Sequence, residues 1–254
     1  MNVVLVSLDD EFLKGTTKEL QERYPQLQFR PVGCNFSPGV DYMSKIREAT
    51  KDISVQIVFN NAGFAVTGFF DQAPAGKLLA NVECNSTALV QISKHFCSQW
   101  VSSQKRACLV FTSSVAGYIP TPFAASYGAT KAFCSQLAAC LYIELKGLGI
   151  DVCAVHPSPV ATRFYDKVDH KIELMEAAQK TAVPPETLPN QIFQTIGAFP
   201  FRDLGGMAMG TRMGTFFLPY NFFTWLFGVA APYLPDYQKH NKTRLASTTT
   251  KKSD

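Results

Sequence analysis

The sequence has no internal repeat, no low-complexity tract and no group of cysteines and histidines with the spacing of a metal site. These gaps exclude repeat architectures and zinc-binding modules, and they favour one large globular domain. Cys-x-x-Cys pairs are also missing. The seven cysteines fall mostly in apolar segments, so we expect free thiols in a reducing compartment. They are Cys34, Cys84, Cys97, Cys108, Cys134, Cys140 and Cys153.

Most of the chain has no excess charge of either sign. The sequence carries 24 Lys and Arg against 20 Asp and Glu. Residues 239–254 hold five basic residues and one acidic residue, which is the whole net charge of +4. The remaining 19 basic and 19 acidic residues balance. A neutral body with a basic tail argues against nucleic acid as a partner. The apolar content of 46% is enough for the core of a large α/β domain.

Three apolar segments predict buried strands that run into polar, Gly- or Pro-bearing residues. These are residues 53–59, 107–111 and 150–155, followed by 60–63, 112–117 and 156–162. Helical stretches separate the segments, which predicts a parallel sheet with a site at the carboxyl ends of its strands. His156 follows the third segment and His170 lies in a polar stretch. Neither has a partner at a recognisable spacing, so both are interpreted as structural or solvated.

Tyr127 and Lys131 are four residues apart, next to the apolar helical stretch of residues 132–145. On a helix they share one face, one turn apart. A neighbouring ammonium stabilises a phenolate, so such a pair can exchange a proton with a carbonyl or alcohol. The alternative is an exposed Tyr and Lys that happen to share a helical face.

Four spaced motifs occur together: Asn-Asn-Ala-Gly at 60–63, Ser114 thirteen residues before Tyr127, the Tyr-x-x-x-Lys pair, and Pro-x-x-Val-x-Thr at 157–162. In this order they resemble the short-chain dehydrogenase/reductase family, over about residues 1–200. The resemblance implies a doubly wound α/β parallel-sheet Rossmann-like fold. It also implies an NAD(P)-dependent oxidoreductase that interconverts a carbonyl and an alcohol.

The resemblance implies a role for each matching residue. Tyr127 would be the proton donor, and Lys131 would lower the pKa of Tyr127 and hold the nicotinamide ribose. Ser114 would hydrogen-bond the substrate carbonyl, and Asn85 would hold a proton-relay water. The implied cofactor-binding residues are Asn35, Asn61, Ala62, Gly63, Tyr127, Lys131, Pro157, Ser158, Val160 and Thr162.

The elements before Asn60 number one strand fewer than the family has. Residues 1–7 and 26–31 read as strands, and residues 11–24 and 40–51 read as helices. We therefore expect Met1 to begin the family's second strand, with the first strand and its Gly-rich phosphate loop missing from this sequence. The alternative is that residues 1–7 are a diverged first strand. The turn that follows has no glycine, however, to let a backbone approach a pyrophosphate.

The turn after residues 1–7 bears on the choice of cofactor. Similar proteins carry Ser-Arg there, and an Arg would pair with the 2′-phosphate of NADPH. Leu8 removes that partner, so the slight preference for NADPH that the resemblance implies is weakened, and NADP and NAD both stay open. Asn35 stands where the family has an Asp that touches adenine. Ser158 replaces a usual Gly and is expected to crowd the nicotinamide side slightly.

Residues 163–182 are polar and predict a helix, which the resemblance makes a mobile lid over the substrate. Phe164 and Tyr165 could line an apolar channel beneath it. An ordinary amphipathic surface helix is the alternative. A further helix is predicted over residues 184–196, with Pro185 as a start signal.

Residues 213–235 carry no charge and eight aromatic side chains. This density favours anchoring at a membrane interface. The alternatives are a hydrophobic last strand with packing in the core or in a homodimer, and a true span, for which the length just suffices. We divide the chain into a Rossmann-like domain (1–205), an aromatic segment (206–238) and a basic tail (239–254).

Lys251 and Lys252 resemble the dilysine signal that returns membrane proteins to the endoplasmic reticulum. With the aromatic segment, they predict an endoplasmic-reticulum membrane protein whose catalytic domain faces the cytosol; the alternative is a cytoplasmic protein. Residues 3–7 and 231–235 look most like the membrane-bound 3-oxoacyl-CoA and 17β-hydroxysteroid reductases. The implied substrate is an apolar acyl-CoA, steroid or retinoid. The rival hypothesis is a non-catalytic remnant that serves as a membrane-associated binding protein.

Overall fold

The computed structural model describes residues 1–166, 168 and 170–250. Its strands are β1 (Val3–Ser7), β2 (Phe29–Gly33), β3 (Ile57–Asn60), β4 (Ala107–Thr112), β5 (Ile150–Pro157) and β6 (Phe201–Leu204). Its α-helices are α1 (Glu11–Arg23), α2 (Tyr42–Thr50), α3 (Ala75–Val82), α4 (Ala88–Ser102), α5 (Ala125–Leu145), α6 (Glu173–Gln179), α7 (Leu188–Thr195), α8 (Gly206–Phe217), α9 (Tyr220–Ala230) and α10 (Pro235–Thr250).

All strand pairs in the described part of the chain are parallel. Strands β3, β4, β5 and β6 are neighbours in that order, and β1 pairs with β2. Helices cover both faces of the larger sheet, because alternate residues of β4 belong to different core clusters. Leu109 and Phe111 lie in the main cluster, and Cys108 and Val110 lie in the second cluster. The predicted doubly wound α/β fold is confirmed.

The two sheets are not joined by backbone hydrogen bonds. Among the described residues, no strand lies between β1 and β3. The side chains nevertheless form one core, since Val4 and Val6 of β1 pack against the cluster that contains Val58 of β3. Within the described residues the sheet is therefore interrupted between β2-β1 and β3, as the count of elements before Asn60 predicted.

The predicted lid helix over residues 163–182 is wrong as a continuous element. A short 3₁₀ turn, Arg163–Tyr165, follows the capping residue Thr162, and α6 begins only at Glu173. The Asp236 carboxylate, buried at the start of α10, accepts a hydrogen bond from the Glu173 N–H at 3.0 Å. This contact fixes the start of α6 through a residue distant in sequence. Lys167 and Asp169 of the predicted lid lie outside the described residues.

The aromatic segment forms helices, so the alternative of a hydrophobic last strand is wrong. Helices α8 and α9 are separated by Leu218, which is extended, and Pro219. In the described part of the chain, no helix has both the length and the apolar character needed to cross a membrane, so the true span is not supported.

Helix α10 joins the end of the aromatic segment to the basic tail, and contacts from both parts show that the helix is not simply solvated. Tyr237 makes edge-to-face ring contacts with Phe69 and Phe123, and Arg244 pairs with Asp71. The dilysine pair, Lys251 and Lys252, lies outside the described residues.

Candidate active site

Two glycines let the start of α5 approach the turn that follows β4. A Cβ on Gly128 would lie 1.9 Å from Thr121 Oγ1. A Cβ on Gly117 would lie 3.0 Å from the carbonyl oxygen of Lys131. The sequence therefore brings the turn that carries Ser114 against the helical face that carries Lys131.

Lys131 lies at the carboxyl end of β4 and is only 5% exposed. Its Nζ donates a hydrogen bond to the main-chain oxygen of Thr112 at 2.7 Å. The same Nζ is 5.6 Å from the centre of the Tyr127 ring. Burial lowers the pKa of Lys131, and this effect is opposed by Cys134 and Cys84. The ammonium is thus held in place by a neutral acceptor, and no described carboxylate contributes to its pKa.

Tyr127 has a raised pKa in this arrangement. Burial raises the pKa of the phenol to about 12, and a hydrogen bond with the Ser114 side chain opposes that shift. Ser114 also caps the 3₁₀ turn Val115–Gly117 by accepting from the Ala116 N–H at 3.1 Å. The structure thus brings Ser114 to Tyr127, while the expected lowering of the Tyr127 pKa by Lys131 stays a prediction.

Asn85 lies in a π-helical turn, Glu83–Thr87, between α3 and α4. Such turns often mark functional sites. Its side chain is buried and binds both main-chain groups of Phe64, accepting at 3.1 Å and donating at 2.9 Å. It also donates to Thr130 Oγ1 on α5 at 3.1 Å. Asn85 therefore joins the loop after β3 to the helix of Tyr127 and Lys131; its role in holding a water stays a prediction.

Sequence reasoning missed two polar residues that support this arrangement. Asn81 is fully buried, donates to the Phe64 oxygen at 2.6 Å and accepts from Ser126 Oγ at 2.7 Å. Thr130 is buried and donates to the main-chain oxygen of Tyr127 at 2.8 Å. In the sequence, the only indication of their role is that Asn81 and Thr130 are polar residues within apolar helical segments.

A second Tyr-x-x-x-Lys pair, Tyr142 and Lys146, lies at the other end of α5. Lys146 Nζ donates to the Tyr142 hydroxyl at 2.8 Å, and Lys146 is exposed. No described residue of the Ser114 turn or the Asn85 turn bonds to this pair. Spacing alone therefore does not identify a site. The Tyr127–Lys131 pair is distinguished by the burial of Lys131 and by its position beside Ser114 and Asn85.

Two aromatic side chains cover the Tyr127 phenol. The centre of the Phe164 ring is 5.7 Å from that of Tyr127, and the Tyr165 ring is 5.1 Å from that of Phe164. Burial raises the pKa of Tyr165 to about 12. Tyr165 also borders a cavity of about 380 Å³ under α6, lined by Tyr165, Asp166, Val168, Lys171, Ile172, Met175, Glu176 and Gln179. The prediction that Phe164 and Tyr165 could line a channel is compatible with this position.

The loop after β3 fits the nicotinamide–ribose end of a dinucleotide. A Cβ on Gly63 would lie 3.1 Å from Asn85 Oδ1 and 3.5 Å from Lys131 Nζ, so this backbone leaves room beside the two polar groups. Asn61, at the same edge, accepts a hydrogen bond from Thr112 Oγ1 at 2.9 Å. Ala62 between them is exposed.

The segment after β5 is placed differently from what the sequence suggested. Ser158 is buried, and its hydroxyl accepts from the Ala208 N–H at the start of α8, at 3.0 Å. Its side chain therefore binds α8, and the expected crowding of the nicotinamide side is not supported. Pro157 ends β5, Val160 forms an isolated bridge with Val183, and Thr162 caps the following turn.

The described residues after β1 do not fit a diphosphate. Leu8 is exposed, and Asp9, Asp10 and Glu11 place carboxylates at the start of α1. Asp10 caps that helix by accepting from the Leu13 N–H at 3.0 Å. Carboxylates there repel a second anion. Asn35 lies past the end of β2, where its side chain accepts from Ser37 Oγ at 2.8 Å.

Comparison with known proteins agrees with this geometry. A sequence profile of the family described as short chain dehydrogenase matches residues 1–173. The very-long-chain 3-oxoacyl-CoA reductase-like protein of Arabidopsis thaliana is 27% identical, over 66% of this chain and 54% of its own length. The inactive hydroxysteroid dehydrogenase-like protein 1 of Homo sapiens is 29% identical, over 64% and 49%. This chain spans about half the length of the curated relatives it matches.

Solved structures share the fold. A short-chain dehydrogenase from Sphingobium yanoikuyae, in complex with NADPH, superimposes with a TM-score of 0.70 at 25% identity, covering 85% of each chain. The similarity therefore extends beyond the 173 residues that the family profile matches.

Proposed function

The chain belongs to the short chain dehydrogenase family, and we propose that it interconverts a carbonyl and an alcohol on an apolar substrate with a nicotinamide cofactor. The observation that carries this proposal is the group of Ser114, Tyr127 and the buried Lys131 at the carboxyl end of β4, joined to Asn85 through Thr130. This group combines a hydrogen-bond donor, a proton donor and a cation around one point.

Each residue has a defined part in the proposed reaction. Ser114 donates a hydrogen bond to the carbonyl oxygen, and Tyr127 delivers the proton to that oxygen as negative charge develops. Lys131 holds the ribose and stabilises the phenolate that Tyr127 leaves behind. Phe164 excludes water from the phenol. The bound cofactor supplies the hydride to the carbonyl carbon, and NADPH and NADH are both candidates.

Apolar substrates fit the surroundings of Tyr127 best. Phe164 and Tyr165 form an aromatic wall on the side of the phenol towards α6. The Arabidopsis thaliana relative is named as a reductase-like protein for very-long-chain 3-oxoacyl-CoA. We propose a 3-oxoacyl-CoA or a steroid-like ketone as the substrate class.

One observation favours a non-catalytic alternative. The described residues supply no diphosphate site after β1, and the human relative is named inactive. A protein of this kind would keep the buried Ser114–Tyr127 pair for packing alone and act as a binding partner.

Contact with a membrane surface is a second part of the proposal. Helices α8 and α9 carry exposed aromatic side chains, with Phe216 83% exposed and Trp225 62% exposed. Large apolar side chains exposed on neighbouring helices mark an interaction site, and aromatic side chains favour the lipid interface. We propose shallow insertion of α8 and α9 into the cytosolic face of the endoplasmic-reticulum membrane. A homodimer across the same patch is the competing occupant.

The test of the catalytic proposal compares two proteins. One is residues 1–254, and the other is the same chain preceded by the first strand and glycine-rich loop of the Sphingobium relative. Calorimetry measures the binding of NADPH and NADH, and loss of reduced nucleotide measures turnover of a 3-oxoacyl-CoA and a ketosteroid. We expect binding and turnover in the extended protein and no binding by residues 1–254. Micromolar binding by residues 1–254 would show that no preceding strand is needed.

Tyr127→Phe should lower turnover of the extended protein by a factor of about 10² or more, because it removes only the proton donor. Tyr142→Phe is the matched control from the second Tyr-x-x-x-Lys pair and should keep full turnover. Equal turnover in both variants would refute the role of Tyr127. Nucleotide binding with no turnover of any carbonyl tested would favour the non-catalytic alternative.

A further inference from the structure

A polar cluster around the buried His156 lies one helical turn beyond Lys131 along α5. His156 of β5 is fully buried, and its Nε2 is 2.9 Å from Ser135 Oγ on α5. Its Nδ1 is 3.8 Å from Asp203 Oδ1 on β6 and has no hydrogen-bond partner. A buried ring nitrogen without a partner needs an explanation.

The environment of Asp203 fixes its carboxylate. Arg212 of α8 donates from Nε to Asp203 Oδ2 at 3.1 Å. Tyr118 donates its hydroxyl proton to Asp203 Oδ1. The Arg212 guanidinium stacks on the Tyr118 ring, 3.7 Å from its centre. With a cation and a phenol bound to it, Asp203 presents a negative charge to His156.

The charges around His156 select one tautomer. Burial and, to a smaller extent, Arg212 lower the pKa of His156 to about 3 even though Asp203 opposes the shift, so the ring is neutral at physiological pH. One nitrogen then carries the proton. A proton on Nε2 would leave the Nδ1 lone pair facing the Asp203 carboxylate, which is repulsive at low dielectric. A proton on Nδ1 faces the carboxylate and is attracted to it, so Nε2 must accept from the Ser135 hydroxyl.

This tautomer decides how the main chain of Lys131 is held. The carbonyl oxygen of Lys131 has two hydroxyls within reach, Ser113 Oγ at 2.9 Å and Ser135 Oγ at 3.0 Å. The Ser135 hydroxyl has one proton, and Nε2 takes it. Ser113 Oγ lies 2.7 Å from Ser135 Oγ and 2.9 Å from the Lys131 oxygen, so Ser113, directly before Ser114, is the hydroxyl left to donate to that carbonyl.

We propose that Asp203, His156 and Ser135 form a positioning relay: the Nδ1–H tautomer of His156 accepts the Ser135 hydrogen bond and leaves Ser113 as the donor that fixes the main chain of Lys131 relative to Ser114. Its effect on catalysis rests on the proposed function; the tautomer does not. The same residue types act as a hydrolytic triad elsewhere. Here the low pKa of His156 makes it too weak a base for that role.

The relay also ties the Lys131 site to α8. Arg212 lies on the helix that begins the aromatic segment, and it reaches both Asp203 and Tyr118. Tyr118 ends the turn that Ser114 caps. One arginine therefore contacts both the Asp203 end of the relay and the turn that carries Ser114.

The first test reads the tautomer of His156 directly in residues 1–254. Nitrogen NMR of labelled histidine distinguishes protonated from unprotonated ring nitrogens, and the His95→Gln, His170→Gln and His240→Gln variants assign the His156 signals by elimination. We expect Nδ1 to be protonated and Nε2 to be unprotonated at neutral pH. A proton on Nε2, or on both nitrogens, would overturn the relay. This reading needs no folded variant of the relay and no enzyme activity.

Two variants test the cause of the tautomer. Asp203→Asn removes the charge that selects it, and we expect the Nε2–H form to appear. Asp52→Asn is the matched control, because Asp52 is the partner of Arg30 in an ion pair remote from the site. An unchanged tautomer in Asp203→Asn would show that the carboxylate does not select it.

The kinetic test uses the extended protein described above. Ser113→Ala should raise the KM for the nucleotide by about threefold to tenfold, because it removes the one hydrogen bond to the Lys131 carbonyl, with a smaller effect on the KM for the ketone. Ser113→Thr should restore it, and Ser98→Ala on α4 should change nothing. Wild-type kinetics in Ser113→Ala would show that Ser135 still holds the Lys131 carbonyl and would refute positioning. A parent protein without turnover would refute the proposed function while the NMR result still decides the tautomer.

Discussion

The side-chain nitrogen of Asn85 lies 3.1 Å from Thr130 Oγ1, and this hydrogen bond connects the π-helical turn directly to α5. Thr130 is buried, so its hydroxyl has no alternative partner in water. The positions of Asn85, Tyr127 and Lys131 thus depend on a threonine that takes no part in the proposed chemistry.

Thr130→Val should reduce the free energy of unfolding by about 1–3 kcal/mol, because it removes a partner of the buried Asn85 amide. Thr195→Val is the matched control. Thr195 is fully buried and donates only within its own helix, to Gln191 at 2.8 Å. Urea unfolding of both variants gives the comparison, and equal losses would show that the Asn85 contact contributes nothing specific.

Gly128→Ala should destabilise the protein by about 1–3 kcal/mol through overpacking against Thr121. The added Cβ would lie 1.9 Å from Thr121 Oγ1. Thr121→Ala in the same chain should recover part of the loss, since it removes that atom. Gly15→Ala in α1, where nothing lies within 4 Å, should instead stabilise the protein by up to about 1 kcal/mol. Thermal unfolding of the four proteins checks this, and a Gly128→Ala variant as stable as the parent would contradict the close approach.

His156 should make the protein less stable in acid. Its pKa falls from 6.5 to about 3 in the folded state, mainly through burial and then through Arg212. Between those values the unfolded chain binds a proton that the folded chain does not, so the free energy of unfolding falls as the pH falls from 6.5 to 3 and is fully retained above 6.5. The contribution is up to about 5 kcal/mol.

His156→Gln should flatten the pH dependence of the free energy of unfolding between pH 6.5 and 3. Urea titrations at several pH values measure it, with His170→Gln as the control for loss of an exposed histidine. If His156→Gln and the parent lose stability in parallel, His156 is protonated in the folded state as well.

The α8–α9 surface should carry the protein to lipid. We expect residues 1–254 to float with phospholipid vesicles in a density gradient, and the Phe216→Ser, Trp225→Ser double variant to float much less, because insertion scales with buried apolar area. The control is an Ile143→Ser, Phe70→Ser double variant, which removes side chains that are 77% and 63% exposed elsewhere. Equal loss in both double variants would point to non-specific adhesion. If the protein self-associates and does not bind vesicles, the α8–α9 surface is a homodimer contact.

The sequence predicted those parts of the site whose elements have strong local patterns. The apolar runs at β3, β4 and β5 and the apolar helix α5 gave the positions of Asn61, Ser114, Tyr127 and Lys131. Strand β6, Phe201–Leu204, was missed because it is short and half of it is Arg202 and Asp203. The Asp203 charge is explained by its ion pair with Arg212, which a strand pattern does not indicate.

The remaining errors arise from contacts between residues distant in sequence. His156 was interpreted without a partner, yet Ser135 and Asp203 lie 21 residues before it and 47 residues after it in the printed sequence. The lid helix was predicted too long because its polar pattern carries no sign of Asp236, which fixes the start of α6. The π-helical turn at Asn85 has no signature in residue type at all.

The interrupted ladder between β1 and β3 affects how the molecule comes apart. Residues 3–50 form one set of paired strands and helices, residues 57–204 form another, and side chains alone hold the two together. Packing contacts between side chains are lost once the two sets of elements move a small distance apart, whereas the hydrogen bonds of a β-ladder have to break one after another. The chain therefore has a single core whose two sets of paired strands are connected along the backbone by residues 51–56. A force or a protease that acts on these residues acts at a boundary across which the described strands share no backbone hydrogen bond.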